Sequence, residues 1–223
     1  MSAPLIITID GPAGVGKSTL ARAVAETLCL PYLDTGAMFR TLALKLGAGA
    51  EEHPAQSLCQ QCSAWHFSLR GSGGSTVLLC NAVPVGQEVR TEAVGMLASR
   101  VAAVPAVRDC LKQAQRRLAL SCSLVAEGRD MGTEIFPEAQ YKFFLDARPE
   151  VRALRRQKEL AAAGTTVPLA ELTEQIRQRD TLDRTRALAP LRPAADAVLV
   201  DTSDKDIPVV LAEMLAVVRG RGL

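Results

Sequence analysis

Apolar and polar positions along the chain switch between two periods. Leu5–Ile9 is a continuous β-branched run, which predicts a buried parallel strand. The following segment, "KSTLARAVAETL", places Leu20, Ala21, Val24, Ala25 and Leu28 at helical spacing. Pro31–Asp34 predicts a second short strand. The stretch after it predicts a helix capped by Thr35 and closed by Gly47. "EEHPAQSLCQQCSA" predicts another short helix. "TEAVGMLASRVAAVPAVRDCLKQAQRRLAL" predicts two helices broken near Pro105. Further strands are expected at Ser123–Gly128, Tyr141–Ala147 and "DAVLVDTS". Helices are expected over "PEVRALRRQKELAAAG", closed by Gly164, over "PLAELTEQIRQRDTLDRTRA", and up to Arg219.

Strands alternating with helices predict an α/β core around a parallel sheet. One region breaks the alternation. "WHFSLR", "STVLLC" and "VPVG" are β-rich and close together, with the turn "GSGG" (Gly71–Gly74) between the first two. They predict a small antiparallel sheet inserted into the core. "GSGG" is expected to be a hairpin turn rather than a phosphate loop, because neither lysine nor helix follows it.

Composition narrows the class without changing the fold. The 223 residues are 48% hydrophobic and 22% charged, with a net charge of +2. That balance gives no argument from bulk charge for nucleic-acid or membrane binding, and neither is expected. The first basic residue is Lys17, so no signal-peptide pattern leads the chain, and no segment is apolar for long enough to span a membrane. A cytoplasmic protein is expected. Its six cysteines are then expected to be thiols. Cys59 and Cys62 have C-x-x-C spacing, but no second pair accompanies them, so neither zinc nor redox chemistry is expected there.

The candidate chemistry begins at "GPAGVGKST". Gly11–Ser18 fits G-x-x-x-x-G-K-[ST], the phosphate-binding loop, between a predicted strand and a predicted helix. Gly11, Pro12, Ala13, Gly14, Val15 and Gly16 bring backbone N–H groups close to phosphate oxygens at a helix N-terminus. Thr19 continues that first turn. Lys17 is expected to reach β- and γ-phosphates, and Ser18 to ligate Mg²⁺.

A loop that holds a phosphoryl donor needs cations around the travelling group. Arg152, Arg155 and Arg156 are spaced to share one helix face, as are Arg179, Asp183 and Arg186. Spacing alone equally describes solvated basic faces; the phosphate loop favours the chemical reading. "EGRDMG" follows a predicted strand, so Arg129 is expected at the sheet's carboxyl edge, with Asp130 orienting a guanidinium.

Together, "IDGPAGVGKST", "YLDTGAMFR", "ASRVAAVPAVR", "AEGRDMGTEIFP", "FLDARPEVRALRR" and "RDTLDRTRALAPL" closely resemble the bacterial cytidylate kinases, in the same order along the whole chain. "GRDMGT" and the final stretch are far more specific than the phosphate loop. The resemblance implies one P-loop nucleoside monophosphate kinase domain over residues 1–223. It also implies an NMP-binding insert at about 36–105 and a helical lid at about 148–190. It implies phosphoryl transfer from ATP, with Mg²⁺, to CMP or dCMP. In this pattern Thr35 contacts the monophosphate, and Arg40, Arg108 and Arg129 clamp it. Ser99, Asp183 and Arg186 recognise cytosine and sugar, with Asp183 expected to accept from the cytosine amine. Arg152, Arg155 and Arg156 belong to the lid. Glu127 stands where the family pattern has aspartate, and Leu182 where some members have arginine. A monomer is expected.

Two other classes fit less well. A guanine-nucleotide switch needs an N-K-x-D motif, whereas Asn81, the sole asparagine, is followed by alanine. A motor-type ATPase leaves the inserted hairpins unexplained. Sibling kinases acting on AMP, UMP, dTMP or a non-nucleotide acid share the loop and differ in the acceptor residues.

Overall fold

The computed structural model describes residues 4–162 and 164–220. A five-stranded parallel sheet forms the centre. Its strands are β1 (Ile6–Asp10), β2 (Tyr32–Asp34), β6 (Leu124–Gly128), β7 (Tyr141–Asp146) and β8 (Val198–Asp201), in the order β2-β6-β1-β7-β8. Strand β1 lies one residue later than its apolar run suggests, because Asp10 is still paired with Gly128 of β6. All five residues of β1 are buried, as the unbroken β-branched run requires of a strand covered on both faces.

Side chains alternate across the sheet and divide the core in two. Ile7 and Ile9 point to the layer made by α1 (Lys17–Thr27) and α8 (Ile207–Gly220), where Leu20, Val24, Val210 and Met214 are buried. Ile6 points to the opposite layer, with Leu42 of α2 (Thr35–Leu46), Leu58 of α3 (Ala55–Ser63), Val101 of α4 (Glu92–Val101) and Leu111 of α5 (Pro105–Ser121). Pro105 opens α5 at its first position, where a missing N–H costs no bond. A three-residue 3₁₀ turn, Ala50–Glu52, precedes α3.

The inserted sheet is antiparallel, in the order β3 (Phe67–Arg70), β4 (Val77–Cys80) and β5 (Val83–Pro84). The turn between β3 and β4 is more than a connector. Gly73 N donates to Leu30 O, Gly74 N to Glu26 Oε2, and Arg22 Nη1 to Gly74 O, so the turn is tied to α1 and the start of β2. Helices α6 (Pro149–Ala162) and α7 (Leu169–Thr185) form the crossover from β7 to β8.

Two local expectations change. Thr35 does not cap α2; Asp34 does, its Oδ1 accepting from Ala37 N at 2.8 Å. Aspartate is as good a cap as threonine, and β2 ends at the residue that can serve. The shared face of Arg179, Asp183 and Arg186 also fails. Helix α7 ends at Thr185, and Arg186 has left helical geometry at φ −60°, ψ 140°.

Candidate active site

Three adjacent strands deliver the site. The carboxyl ends of β2, β6 and β1 lie side by side, with Asp34 beside Glu127 and Asp10 beside Gly128. Ligands bind at this edge in open α/β sheets. Beyond β1 the chain turns through Gly11 at φ +148°, where an added Cβ would sit 2.1 Å from Leu145 O. Only glycine fits that approach. Helix α1 starts at Lys17 behind Gly16, and no side chain caps it. Its first N–H groups and the positive end of its dipole therefore face the loop, as anion binding requires.

Lys17 is buried at the loop, and its Nζ donates to Pro12 O at 2.6 Å. Burial first, then Arg129, push its ammonium well below the usual lysine range, while Glu127 and Asp10 oppose them. A phosphate arriving here would favour the charged form. Glu127, the penultimate residue of β6, is buried. Burial, then Asp34, push its carboxyl up, and Lys17, Tyr32 and Ser18 pull it down. Its Oε1 accepts a short bond from the Tyr32 hydroxyl, while Oε2 has no donor in bonding geometry. The Thr35 hydroxyl donates to Glu127 O at 2.6 Å.

The segment after β6 holds two ion pairs. Arg129 Nε donates to Asp183 Oδ2 at 2.9 Å. Burial alone would raise the Asp183 carboxyl, but Arg129, Arg179 and Arg186 outweigh it and hold it below the usual range. Asp130 accepts from Arg108 Nη2 and faces Arg186 Nη2 at 3.8 Å. Burial pushes Asp130 up against those two cations. Arg108 also lies over the Phe39 ring, 5.7 Å from its centre. Thus Lys17, Thr35, Arg108, Arg129, Asp130, Arg179, Asp183 and Arg186, scattered over the sequence, are linked through one edge of the sheet. A cavity of about 240 Å³ opens beside them, lined by Phe39, Arg108, Lys112, Gln115, Glu134 and Leu188 among others. A larger one, about 520 Å³, lies against β7 and β8 and is lined by Arg152 and Asp180; neither cavity takes lining from Gly11–Thr19, and the smaller is tied to the ion pairs through Arg108.

The shared face of Arg152, Arg155 and Arg156 does not become one cationic surface. Arg152 is 1% exposed. It donates to Asp180 Oδ1 at 2.9 Å, to Ala147 O at 2.8 Å and to Ala13 O of the loop at 3.2 Å. Arg155 donates to Thr202 O, and the Thr202 hydroxyl donates to Val15 O, so Arg155 supports the loop from outside. Arg156 is exposed and pairs with Glu159 at 3.2 Å. Arg40 is half-buried on α2, its guanidinium close to Gly95 of α4, and Ser99 is exposed on α4. Sequence reasoning missed Arg90, which pairs with Asp34 at 2.6 Å, and Tyr32, which donates to Glu127. Arg90 lies in none of the quoted motifs, and Tyr32 opens "YLDTGAMFR" without any local sign of its partner; only the fold joins them to Asp34 and Glu127. Cys59 is exposed and Cys62 buried on α3. Burial pushes the Cys62 thiol up to about 12. Among the described residues, no three His, Cys, Asp or Glu side chains group as a metal site.

The sequence model of the family named cytidylate kinase matches residues 7–220. The chain belongs to the cytidylate kinase family. Curated relatives agree along nearly the whole length. The cytidylate kinase of Nitratidesulfovibrio vulgaris is 56% identical over 97% of this chain and 93% of its own. That of Lawsonia intracellularis is 49% identical over 94% and 93%, and that of Methylococcus capsulatus 45% over 96% and 96%. Among solved structures, an uncharacterized protein from Eubacterium ventriosum shares the fold, with a TM-score of 0.52 at 12% identity, covering 96% of this chain and 98% of that one. In this cytidylate kinase the "GRDMGT" segment leaves β6 directly beside the end of β1, from which the phosphate loop departs.

Proposed function

We propose that this cytidylate kinase transfers the γ-phosphoryl group of ATP to CMP or dCMP, releasing ADP and CDP or dCDP. The carrying observation is the uncapped start of α1, with Lys17, facing the linked set Arg108–Asp130–Arg186 and Arg129–Asp183. One side suits a triphosphate; the other offers guanidinium forks to a monophosphate. Gly11–Thr19 is assigned to ATP. Thr35, Arg40, Ser99, Arg108, Arg129, Asp183 and Arg186 are assigned to the acceptor, within an insert at about 36–105. Residues 148–190 are assigned as the lid.

The acceptor is an anionic phosphate oxygen, so no base need remove a proton. That oxygen attacks the γ-phosphorus in line as the bond to the β–γ bridging oxygen breaks. Lys17, Arg129 and Arg179 spread positive charge along that path, with Asp130 orienting Arg108. Lys17 and Arg179 are close enough to influence each other's charge. Arg152 and Arg155 hold the loop from beneath, and Arg156 is the lid cation left on the surface. Ser18 and Glu127 fit a Mg²⁺ carried in by ATP, since the Ser18 hydroxyl is near enough to act on the buried Glu127 carboxyl, whose Oε2 makes no hydrogen bond. That ion would neutralise charge between the β- and γ-phosphates.

None of the described helices is long and apolar enough to cross a membrane. Small nucleotides are the proposed partners, and the chain is proposed to act as a monomer in the cytoplasm. Coupled detection of ADP over CMP, dCMP, UMP, AMP and dTMP tests the reading. CMP and dCMP should exceed the rest in kcat/KM by at least ~10-fold, the scale of a single mismatched contact. Equal or greater turnover of AMP or dTMP would overturn the acceptor assignment.

A further inference from the structure

Strand β1 ends in Asp10, a buried carboxylate that the chemistry above does not use. Its two oxygens do one thing. Oδ1 accepts from Met131 N at 2.9 Å and Oδ2 from Gly132 N at 2.8 Å. These are the first two residues of a single π-helical turn, Met131–Ile135, that follows Arg129 and Asp130 directly. No side chain of that turn's preceding residue caps it, so its leading N–H groups are satisfied from another strand.

The surroundings leave the turn no second seat. An added Cβ at Gly132 would stand 3.0 Å from Thr8 Oγ1 and 3.2 Å from Lys142 Cδ, so the turn lies flush on β1. Asp10 is also in register with Gly128, the residue before Arg129. Asp10 therefore grips the far side of a four-residue segment, Gly128–Met131, whose near side is fixed by the pairing of β6 with β1. The two side chains inside the grip, Arg129 and Asp130, hold Asp183 and Arg108. The next residue after Asp10 is Gly11, the first of the phosphate loop. One carboxylate thus sits between the donor loop and the acceptor pairs, with bonds only to the acceptor side.

We infer that Asp10 is a positioning residue for the acceptor half of the site: it fixes Arg129 and Asp130 by accepting from the two backbone N–H groups that follow them. This rests on the kinase reading above. The two facing charges, Lys17 and Asp130, lie close enough to affect its ionisation, so a neutral replacement must preserve shape. Asp10→Asn does, but it turns one acceptor into a donor that opposes an N–H.

The test compares wild type, Asp10→Asn and Asp10→Ser, each checked for folding by circular dichroism and thermal melting. Should the amide prove too unstable, the serine variant carries the experiment, since its hydroxyl leaves room for water at the two N–H groups. The expected result is a fall of ~10–10² in kcat/KM for CMP, the scale of a misplaced reacting group, with calorimetric Kd for ATP changed by less than about two-fold. In an Arg129→Met background, Asp10→Asn should cost less than it does in wild type, because one of the two side chains it positions is already gone. Equal weakening of ATP and CMP, full additivity with Arg129→Met, or unchanged CMP kinetics would each overturn the inference. If wild type prefers another monophosphate, the same comparison runs with that acceptor. The substrate reading then fails while the role of Asp10 is still decided.

Discussion

At the scale of single residues, the site is a set of charges whose burial is offset by near neighbours. Lys17 illustrates the trade. Its burial disfavours the ammonium, and Glu127 and Asp10 only partly compensate. Removing it should therefore leave stability unchanged or slightly raised, while removing a contact that strengthens in the transition state. Lys17→Ala is expected to lower kcat by ~10²–10³ with no fall in Tm. Activity within a few-fold of wild type would detach the loop from catalysis. Asp183 gives the opposite lesson. Its spacing from Arg179 and Arg186 suggested one shared helix face, whereas its carboxylate is engaged by Arg129 and Arg186 has left the helix. A spacing argument holds only while the helix continues.

At the scale of elements, α6 shows why a periodic row of arginines did not predict one function. Position relative to the loop separates them. Arg152 lies beneath the loop and is closed in by Asp180, Ala147 and Ala13; Arg156, on the next turn, faces water. Breaking a buried pair leaves an uncompensated charge, and breaking an exposed one changes little. Arg152→Ala should cost about 3–5 kcal/mol in urea unfolding. Arg156→Ala should cost less than about 0.5 kcal/mol. Comparable losses in both would mean that α6 is not anchored through Arg152. The strands were easier. A continuous β-branched run has one interpretation when helices flank it, and β1 and β6 fall within a residue of their patterns.

At the scale of the whole molecule, the question is how the inserted sheet stays in place. Its hairpin turn is bonded to α1 and β2, and the Thr76 hydroxyl accepts from Tyr32 N at 3.0 Å while donating to Gly73 O at 2.7 Å. Tyr32 in turn donates to Glu127 at the site. Thr76→Val keeps the volume and orphans one buried N–H, so a loss of about 1–3 kcal/mol is expected in thermal or denaturant unfolding. Activity per folded molecule should fall less than about two-fold if the turn acts as a tether alone. A larger loss at full folding would show that the strain passes through Tyr32 to Glu127.

The sequence by itself determined the alternation of strands and helices, the insert and the phosphate loop, because each rests on local periodicity or on a contiguous motif. It also supplied the arginines and carboxylates of the site as residue types. Tertiary structure alone decided their partners. Arg129 met Asp183, Asp130 met Arg108, and Arg152 went under the loop, since each pair joins segments from different parts of the chain. The same holds for Arg90 on Asp34 and for Asp10 on the 131–132 turn. A carboxylate's partner is set by where parallel strands end relative to one another. That order, β2-β6-β1-β7-β8, comes from crossover packing and not from any local pattern of residues.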